Sequence, residues 1–533
     1  MNKIASYLSQ HLSGEVSSAQ SLRKLYSTDG GILSIAPEIV AFPRVTNDIR
    51  KVARFTWQLA EKGHTVGVTV RGFGGDTTGA SIGKGIVVDT SKQLNGIIEI
   101  AAKDKLVHLQ PGASLSVVEE ALKWQGLALP GASHRGLRDV SVGGAIANDS
   151  LGADGSVSDA IKKLEIVLAN GDIIETGKLS RREVSKKLGL QTFEGEIYRK
   201  LEGLIEDNDS LIKQLADDTT RDNTGYKRIS SVRAKDGSFD LTPLFIGSQG
   251  TLGIISEVVL KTEFYALDET IAIVVADSLQ TGRDLSDRLM ELEPAELRII
   301  DGVLLRRAEK NGASFSLLGS VERVGAVVLV RFNDFSTRAQ DHKLKKLKKL
   351  LKKINMASID STERDPADFK PLTRLGQTLQ LGASDDKVAM PIINGVSVPV
   401  NRCEEFELAV QDLAAKQHIE LPLEYDAIAG VYNAFPLLSL DSVADKQKIF
   451  KLLTEYSTLV DKCGGAFTAD GAEGRLKANA AWATLDEAHA RLYEQVREIF
   501  DPFGTLNPGV KQTTELRSLV ATLRSTYDSA SVL

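Results

Sequence analysis

The run Arg71-Gly72-Phe73-Gly74-Gly75-Asp76-Thr77-Thr78-Gly79 places four glycines in nine residues between two strand-like runs, Val66–Val70 and Gly85–Asp89. Such a loop reaches positive φ without steric cost and brings bare backbone N–H groups close to a ligand. The chemistry it suits is the binding of a diphosphate. A tight turn gives the same composition, so the loop carries weight only in company with further motifs of its kind.

A second stretch repeats the chemistry about sixty residues on. Pro130-Gly131-Ala132-Ser133-His134 is followed by Ser141-Val142-Gly143-Gly144-Ala145-Ile146-Ala147-Asn148, ending at Gly152. Paired glycines ahead of small residues let a backbone lie flat against a planar or anionic ligand. A third element, Leu244-Phe245-Ile246-Gly247-Ser248-Gln249-Gly250-Thr251-Leu252-Gly253-Ile254-Ile255, closes this half of the chain.

In that order, these elements resemble the FAD-binding domain of the vanillyl-alcohol oxidase / p-cresol methylhydroxylase superfamily. Asp501-Pro502-Phe503-Gly504-Thr505-Leu506-Asn507-Pro508-Gly509 is similar to the closing motif of that superfamily, so the resemblance runs from about Asp29 to Lys511. The layout is most similar to the branch of glycolate-oxidase D subunits and D-lactate dehydrogenases. The resemblance implies an α/β (α+β) chain with a two-subdomain, PCMH-type FAD-binding fold and an inserted α/β substrate-cap domain. It also implies FAD at Arg71, Gly72, Phe73, Gly74, Gly75, Asp76, Thr77, Gly79, Pro130, Gly131, Ser133, Ser141, Val142, Gly143, Gly144, Ala147, Asn148, Gly152, Gly253, Ile254, Ile255 and Asn507. Covalent members often attach the flavin through a histidine in the first loop. The equivalent position here is near Gly75 and His134 is the only histidine in either loop, so non-covalent FAD is expected.

A dehydrogenase of this type also needs a clamp for the substrate and a base or metal to take the hydroxyl proton. The resemblance implies two histidines around a Gly-Asp-Gly-Asn core and a Glu-His-Gly motif in metal-using members. This chain has Asp426 and Asn433 at the histidine positions, and Asp470-Gly471 where the acid and the third histidine would stand. No histidine occurs between His418 and His489, so no transition-metal site is expected. Asp426, Asp470 and Glu473 either gather around a hard ion or a shared proton, or are solvated loop acids. Asp470 is the candidate base. Arg374 is the candidate carboxylate clamp, or an arginine snorkelling from a helix. Tyr226, in the family's Gly-Tyr position, either positions the flavin ring or is a buried tyrosine with a satisfied hydroxyl.

The elements that must hold these residues are set by pattern. Ser114–Gln125 carries Leu115, Val118, Ala121 and Leu122 at helical spacing, and Asn170-Gly171 marks a hairpin between Leu164–Leu168 and Asp172–Ile174. The expected organisation is an FAD-binding domain over 1–262, a cap over 263–470, a return to the FAD domain over 471–511, and a tail over 512–533. In the tail, Leu516, Leu519, Val520 and Leu523 have the spacing of a peripheral helix.

A length of 533 residues implies two or three domains, and 42% hydrophobic with 26% charged residues is ordinary for a soluble enzyme. A net charge of −6 gives no bulk argument for nucleic acid. Two cysteines, Cys403 and Cys463, exclude a disulfide framework and fit a reducing cytoplasm. Neither a signal peptide nor a membrane span is visible. Residues 343–354 hold seven lysines beside the stripe Leu344, Leu347, Leu351 and Ile354. That segment is either a cap helix burying its leucines on a sheet or a membrane-surface helix, which would put the protein peripherally at the inner face of the membrane.

The expected activity is oxidation of a hydroxyl-bearing carbon in a small molecule, with a D-2-hydroxy acid implied by the resemblance, hydride passing to flavin and electrons to a separate acceptor. Two alternatives stay open. One is an FAD oxidoreductase of another alcohol or sugar-like substrate. The other is a catalytically degenerate flavin-binding subunit of a complex.

Overall fold

The computed structural model describes residues 3–527 except 133–138, 377–378, 380–382, 385–386 and 441–442. Ser133 and His134 therefore lie outside the described residues. The fold is mixed helix and sheet, as the motifs imply.

The first sheet runs in the order Glu15–Ser17, Ile39–Phe42, Ile86–Asp89, Val68–Arg71. The last two pairings are parallel, and Ile39–Phe42 and Ile86–Asp89 are buried at every residue. That is why both read as continuous apolar runs rather than alternating ones. The helices Lys3–His11 and Thr46–Glu61 cover this sheet through Leu8, Ile49, Val52 and Ala53.

The second sheet is antiparallel, in the order Ile173–Glu175, Ile161–Val167, Ile254–Lys261, Leu106–Leu109, Ile97–Ala101. The expected Asn170-Gly171 hairpin forms its first pair, with Gly171 at φ 84° and Leu168 N donating to Asp172 O at 2.8 Å. The expected helix appears as Leu115–Lys123, capped by Ser114, whose Oγ accepts from Val117 N at 3.1 Å.

The third sheet has seven antiparallel strands, centred on Thr270–Ala276, Ala326–Phe332 and Glu296–Asp301 and reaching Leu423–Asp426, Val431–Ala434 and Ile393–Ser397 at one side. Apolar residues are buried on both of its faces. The lysine-rich segment lies in the helix Thr337–Lys353, which buries Leu344, Leu347 and Leu351. Its apolar stripe is spent on the sheet. A membrane reading that uses this stripe as the anchor is thereby corrected.

The chain then returns to the first two sheets. Leu506 bridges Val68 in parallel, and the helix Glu487–Phe500 places Leu492, Tyr493, Val496 and Phe500 in the core of the second sheet. The tail docks as well. Leu523 bridges Leu33, and Tyr527 Oη donates to Gly30 O at 2.8 Å.

Candidate active site

A cleft of about 280 Å3 lies where the three sheets meet. Its floor is backbone. Gly72, Phe73, Gly74, Gly75, Asp76 and Thr77 form one wall; Ser141, Gly143, Gly144, Ala147 and Asn148 form the facing one; Gly253, Ile254 and Ile255 close the end.

The glycines let these walls approach. A Cβ on Gly72 would stand 2.0 Å from Ser141 Oγ, and one on Gly143 would stand 2.9 Å from Pro111 Cβ and 3.0 Å from Pro111 O. Gly74 sits at φ 71°. The Ser141–Asn148 stretch, expected as a flat loop, is instead the helix Val142–Asn148, with Ser141 Oγ accepting from Gly144 N at 3.2 Å. Gly143 and Gly144 are needed for close approach and not for positive φ.

Side chains behind the walls fix them. Asp76 accepts from Thr78 N (3.0 Å) and Ala80 N (2.8 Å), which turns the first loop. Asn148 Oδ1 accepts from Gln249 Nε2 (2.9 Å) and Ala472 N (3.2 Å), which ties three chain segments together at the cleft. Next to it Asp149 is held at φ 52°, in the left-handed region that a non-glycine residue seldom adopts. Burial opposes the charge of Asp149, but Arg221 (2.8 Å) and Arg228 (2.6 Å) hold its carboxyl below the usual range.

Several expected cofactor contacts act from behind. Arg71 is buried beneath the first loop, its Nη1 donating to Thr28 O at 2.7 Å. Asn507 Nδ2 donates to Ala80 O and Gln249 O, both at 2.8 Å, and so pins the first and third elements to each other. Val142 is packed in the core of the second sheet. Gly79 packs on Leu33 and Arg475, Gly131 N donates to Asp154 at 3.0 Å, and Gly152 pairs with Gly155. Together with Pro130, these residues stand off the cleft lining. In this structure they support the loops, because the motif records what the loops need in order to fold as well as what they touch.

The cap supplies a polar wall. Asp470 and Asn433, both singled out from sequence, line it, as do Arg298, Glu424 and Asn394, which the motifs did not identify. Asp470 Oδ1 accepts from Leu151 N at 2.8 Å. Asn433 Oδ1 accepts from Gly395 N at 2.8 Å, and Gly395 O accepts from Ala469 N (2.5 Å) and Asp470 N (3.1 Å). Beneath them Lys477 is fully buried and donates to Asn394 O at 2.5 Å.

The expected clamp, Arg374, is exposed, and its neighbours Thr373 and Gly376 line the cleft in its place. The guanidinium on the wall is Arg298, 2.6 Å from Glu424 and 2.7 Å from Glu296, the latter a charge contact out of line for a hydrogen bond. A signal existed: Glu296 and Arg298 share one face of a strand that is otherwise Leu297-Ile299-Ile300. The Asn394-Gly395 pair likewise marks an irregularity in its strand, and the register does shift there.

The three acids do not gather. Asp426 caps its own turn, accepting from Ile428 N and Ala429 N at 3.0 Å. Glu473 is fully buried against Lys511 (2.7 Å), Gly225 N (2.9 Å) and Trp482 Nε1 (3.0 Å). Among the described residues no group of three His, Cys, Asp or Glu side chains could hold a metal ion. Tyr226 is also off the cleft. Its hydroxyl bonds Thr251 Oγ1 at 2.7 Å, its ring meets Tyr493, and burial raises its pKa. The reading as a satisfied buried tyrosine is the one the geometry matches.

A slot walled by backbone, with Val70, Phe73, Val140, Ile254 and Ile255 supplying apolar surface, fits a ligand that is part diphosphate and part flat ring. That combination describes a flavin dinucleotide. Residues 37–177 match the FAD binding domain family, and residues 268–510 match the C-terminal domain of FAD linked oxidases. The chain therefore carries an FAD binding domain followed by the C-terminal domain of FAD linked oxidases.

A D-2-hydroxyglutarate dehydrogenase of Pantoea ananatis is 23% identical over 97% of this chain and 52% of its own length. The chain thus spans about half the length of that relative. The glycolate oxidase subunit GlcD of Bacillus subtilis is 24% identical over 92% of both chains. The solved structure of a 4-ethylphenol oxidase from Gulosibacter chungangensis shares the fold, with a TM-score of 0.68 at 13% identity over 96% of this chain and 97% of that one.

Proposed function

We propose that this chain is an FAD-dependent dehydrogenase that oxidises the hydroxyl-bearing carbon of a small hydroxy acid. The observation that carries the reading is the junction of two walls in one cleft: glycine-lined backbone on the FAD-binding side, and Asp470, Asn433, Asn394, Arg298 and Glu424 on the cap side. FAD, when bound, supplies the hydride acceptor. This chain's own residues must orient the substrate carbon and take its hydroxyl proton.

Asp470 suits the second task. It lines the cleft, is partly open to solvent and is positioned by the bond from Leu151 N, so a carboxyl group stands where a substrate hydroxyl can meet it. Asp426, Asn433 and Gly471 stand where similar metal-using proteins carry imidazoles, so the proposed proton transfer runs without a transition metal. The cofactor is proposed to be non-covalent, since Gly75 stands at the position of the usual attachment.

A second reading is favoured by Arg298. It is neutralised by Glu296 and Glu424, and Asp470 adds a further negative charge to the same wall. An uncharged alcohol or sugar-like substrate meets that wall at lower electrostatic cost than a second carboxylate does.

One experiment separates these readings. Anaerobic mixing of the yellow protein with D- and L-2-hydroxy acids, simple alcohols and aldoses should bleach the flavin absorbance with one class. Bleaching by D-2-hydroxy acids supports the first reading, and bleaching by neutral substrates alone supports the second. No bleaching by any of them removes the enzymatic reading in favour of a binding subunit.

A further inference from the structure

Residues 514–527 and 28–34 lie outside both family matches, yet they are built onto each other. Thr514 anchors the later segment, its N donating to Asn479 Oδ1 and its O accepting from Asn479 Nδ2, both at 2.8 Å. The short helix Leu516–Val520 then buries Leu519 in the cluster that holds Ile32, Leu33 and Ile82. Beyond it the chain pairs with the earlier segment: Ser34 N donates to Thr522 O at 2.7 Å, and Arg524 N to Ile32 O at 3.0 Å. Two buried side chains complete the contact. Arg524 donates through Nε to Leu33 O (3.3 Å) and through Nη2 to Asp29 O, and Tyr527 Oη donates to Gly30 O at 2.8 Å.

The same earlier segment backs the first glycine-rich loop. Gly30 N donates to Asp76 O at 2.8 Å, and Arg71 Nη1 reaches Thr28 O at 2.7 Å. A Cβ on Gly30 would stand 2.8 Å from Gly75 O, and one on Gly31 would stand 2.1 Å from Thr77 O. The segment therefore lies directly on the loop backbone, and Gly30 itself lines the cleft. Gly30 is gripped from both sides, its N–H by the loop and its carbonyl by Tyr527. Charge runs through the same junction. Burial pushes the Asp29 carboxyl up to about 7 and Asp76 adds to the rise, while Gly31 N, Arg71 and Arg524 pull it down. Arg524 thus brings a positive charge to a place where two acids flank a loop suited to a diphosphate.

We infer that residues 514–527 form a strap that presets the first loop for FAD, with Arg524 and Tyr527 as its positioning residues. Neither lines the cleft, and both act through Asp29, Gly30 and Gly31. The physical reason is ordering. A loop with four glycines in nine residues has many conformations open to it, and the cost of fixing one is subtracted from cofactor affinity. A strap that already holds the backing segment removes part of that cost before the cofactor arrives. The inference rests on the FAD-binding reading of the cleft and is independent of the substrate.

The test is titration of FAD into flavin-stripped, full-length protein, read by quenching of flavin fluorescence, with a thermal melt of each apoprotein alongside. Arg524→Met should raise the Kd for FAD by about tenfold or more, the scale of an ordinary coupling between sites. Tyr527→Phe, which loses one hydrogen bond and no charge, should raise it less, and R524M/Y527F should raise it most. Arg524→Lys keeps the charge and one donor to the backbone, so it should stay nearer to wild type than Arg524→Met. The two readouts separate positioning from bulk stability. A strap that only stabilises the fold would lower the apoprotein melting temperature and leave the Kd of the folded protein unchanged. An unchanged Kd in Arg524→Met and in R524M/Y527F therefore overturns the inference, whatever the melts show. Failure of the wild-type apoprotein to take up FAD would instead overturn the FAD reading of the cleft, and the strap with it.

Discussion

Asp470 Oδ1 accepts a hydrogen bond from Leu151 N at 2.8 Å, so an acid at the end of the cap is clamped to the segment after the helix Val142–Asn148. The clamp fixes where the carboxylate sits and leaves its chemistry to be tested. Asp470→Asn keeps an acceptor for Leu151 N and removes basicity. Flavin content should be unchanged, while flavin reduction by substrate in stopped flow should slow by about 10²–10⁴-fold, the usual worth of a positioned base. An unchanged rate would remove Asp470 from the reaction.

The two glycines of the helix Val142–Asn148 should separate by substitution. Gly143→Ala forces a Cβ to within 3.0 Å of Pro111, which overpacks the cleft wall and should cost about 1–3 kcal/mol of stability. A Cβ on Gly144 meets only Ser141 Oγ at 2.8 Å, so the fold should tolerate Gly144→Val better, while the added bulk fills the slot. Thermal melts and the flavin-to-protein absorbance ratio distinguish them: lost stability for Gly143, lost flavin for Gly144. Full flavin occupancy in Gly144→Val would place the cofactor elsewhere.

Part of this site is legible in sequence because of where each constraint is written. Gly72 and Gly143 are visible because close backbone approach admits no other residue, and that demand is local. The parallel strands Ile39–Phe42 and Ile86–Asp89 are likewise visible as apolar runs. The role of Asn507 is not, because it bonds Ala80 and Gln249 from more than 250 residues away and no spacing rule links them. Arg298 shows in sequence only as a charge paired with Glu296 on an apolar strand; its place on the cleft wall does not show, because Glu424 and Thr373 O arrive from other elements of the cap. Gly143 and Gly144 read as a loop because paired glycines depress helix propensity, and the Ser141 cap together with the packing on Pro111 outweighs that cost.

Non-covalent attachment predicts full release of the flavin. Acid precipitation of purified protein should leave a colourless pellet and yellow supernatant. A yellow pellet would overturn the expectation drawn from Gly75, and loss of that colour in His134→Ala would identify the attachment point.

Lys477 gives stability a pH dependence whose sign can be worked out. Burial pushes its pKa from 10.5 down to about 8, against the pull of Asp470, Asp76 and Glu473. Between about 8 and 10.5 the unfolded chain therefore binds more protons than the folded one at this site, so its contribution to stability rises with pH across that window. Below about 8 the penalty is constant, at most about 3 kcal/mol for a shift of this size. Lys477→Met removes the term. The difference in unfolding free energy between variant and wild type should therefore narrow as pH rises from about 8 to 10.5, read by denaturant midpoints. A difference that stays flat would show that the ammonium is compensated in the folded protein.

The last expectation concerns metal. Asp426 is committed to its own turn, Asn433 to Gly395 N, Glu473 to Lys511, and Gly471 offers no side chain, so the positions around Asp470 do not converge on an ion. Exhaustive chelation should leave both flavin reduction and melting temperature unchanged. The two readouts matter together, because a structural ion lost on chelation lowers the melting temperature, whereas a catalytic one affects the rate alone. Restoration of a lost rate by zinc or manganese would refute the metal-free mechanism. It would also move the search for ligands to Asp470 and to residues outside those described.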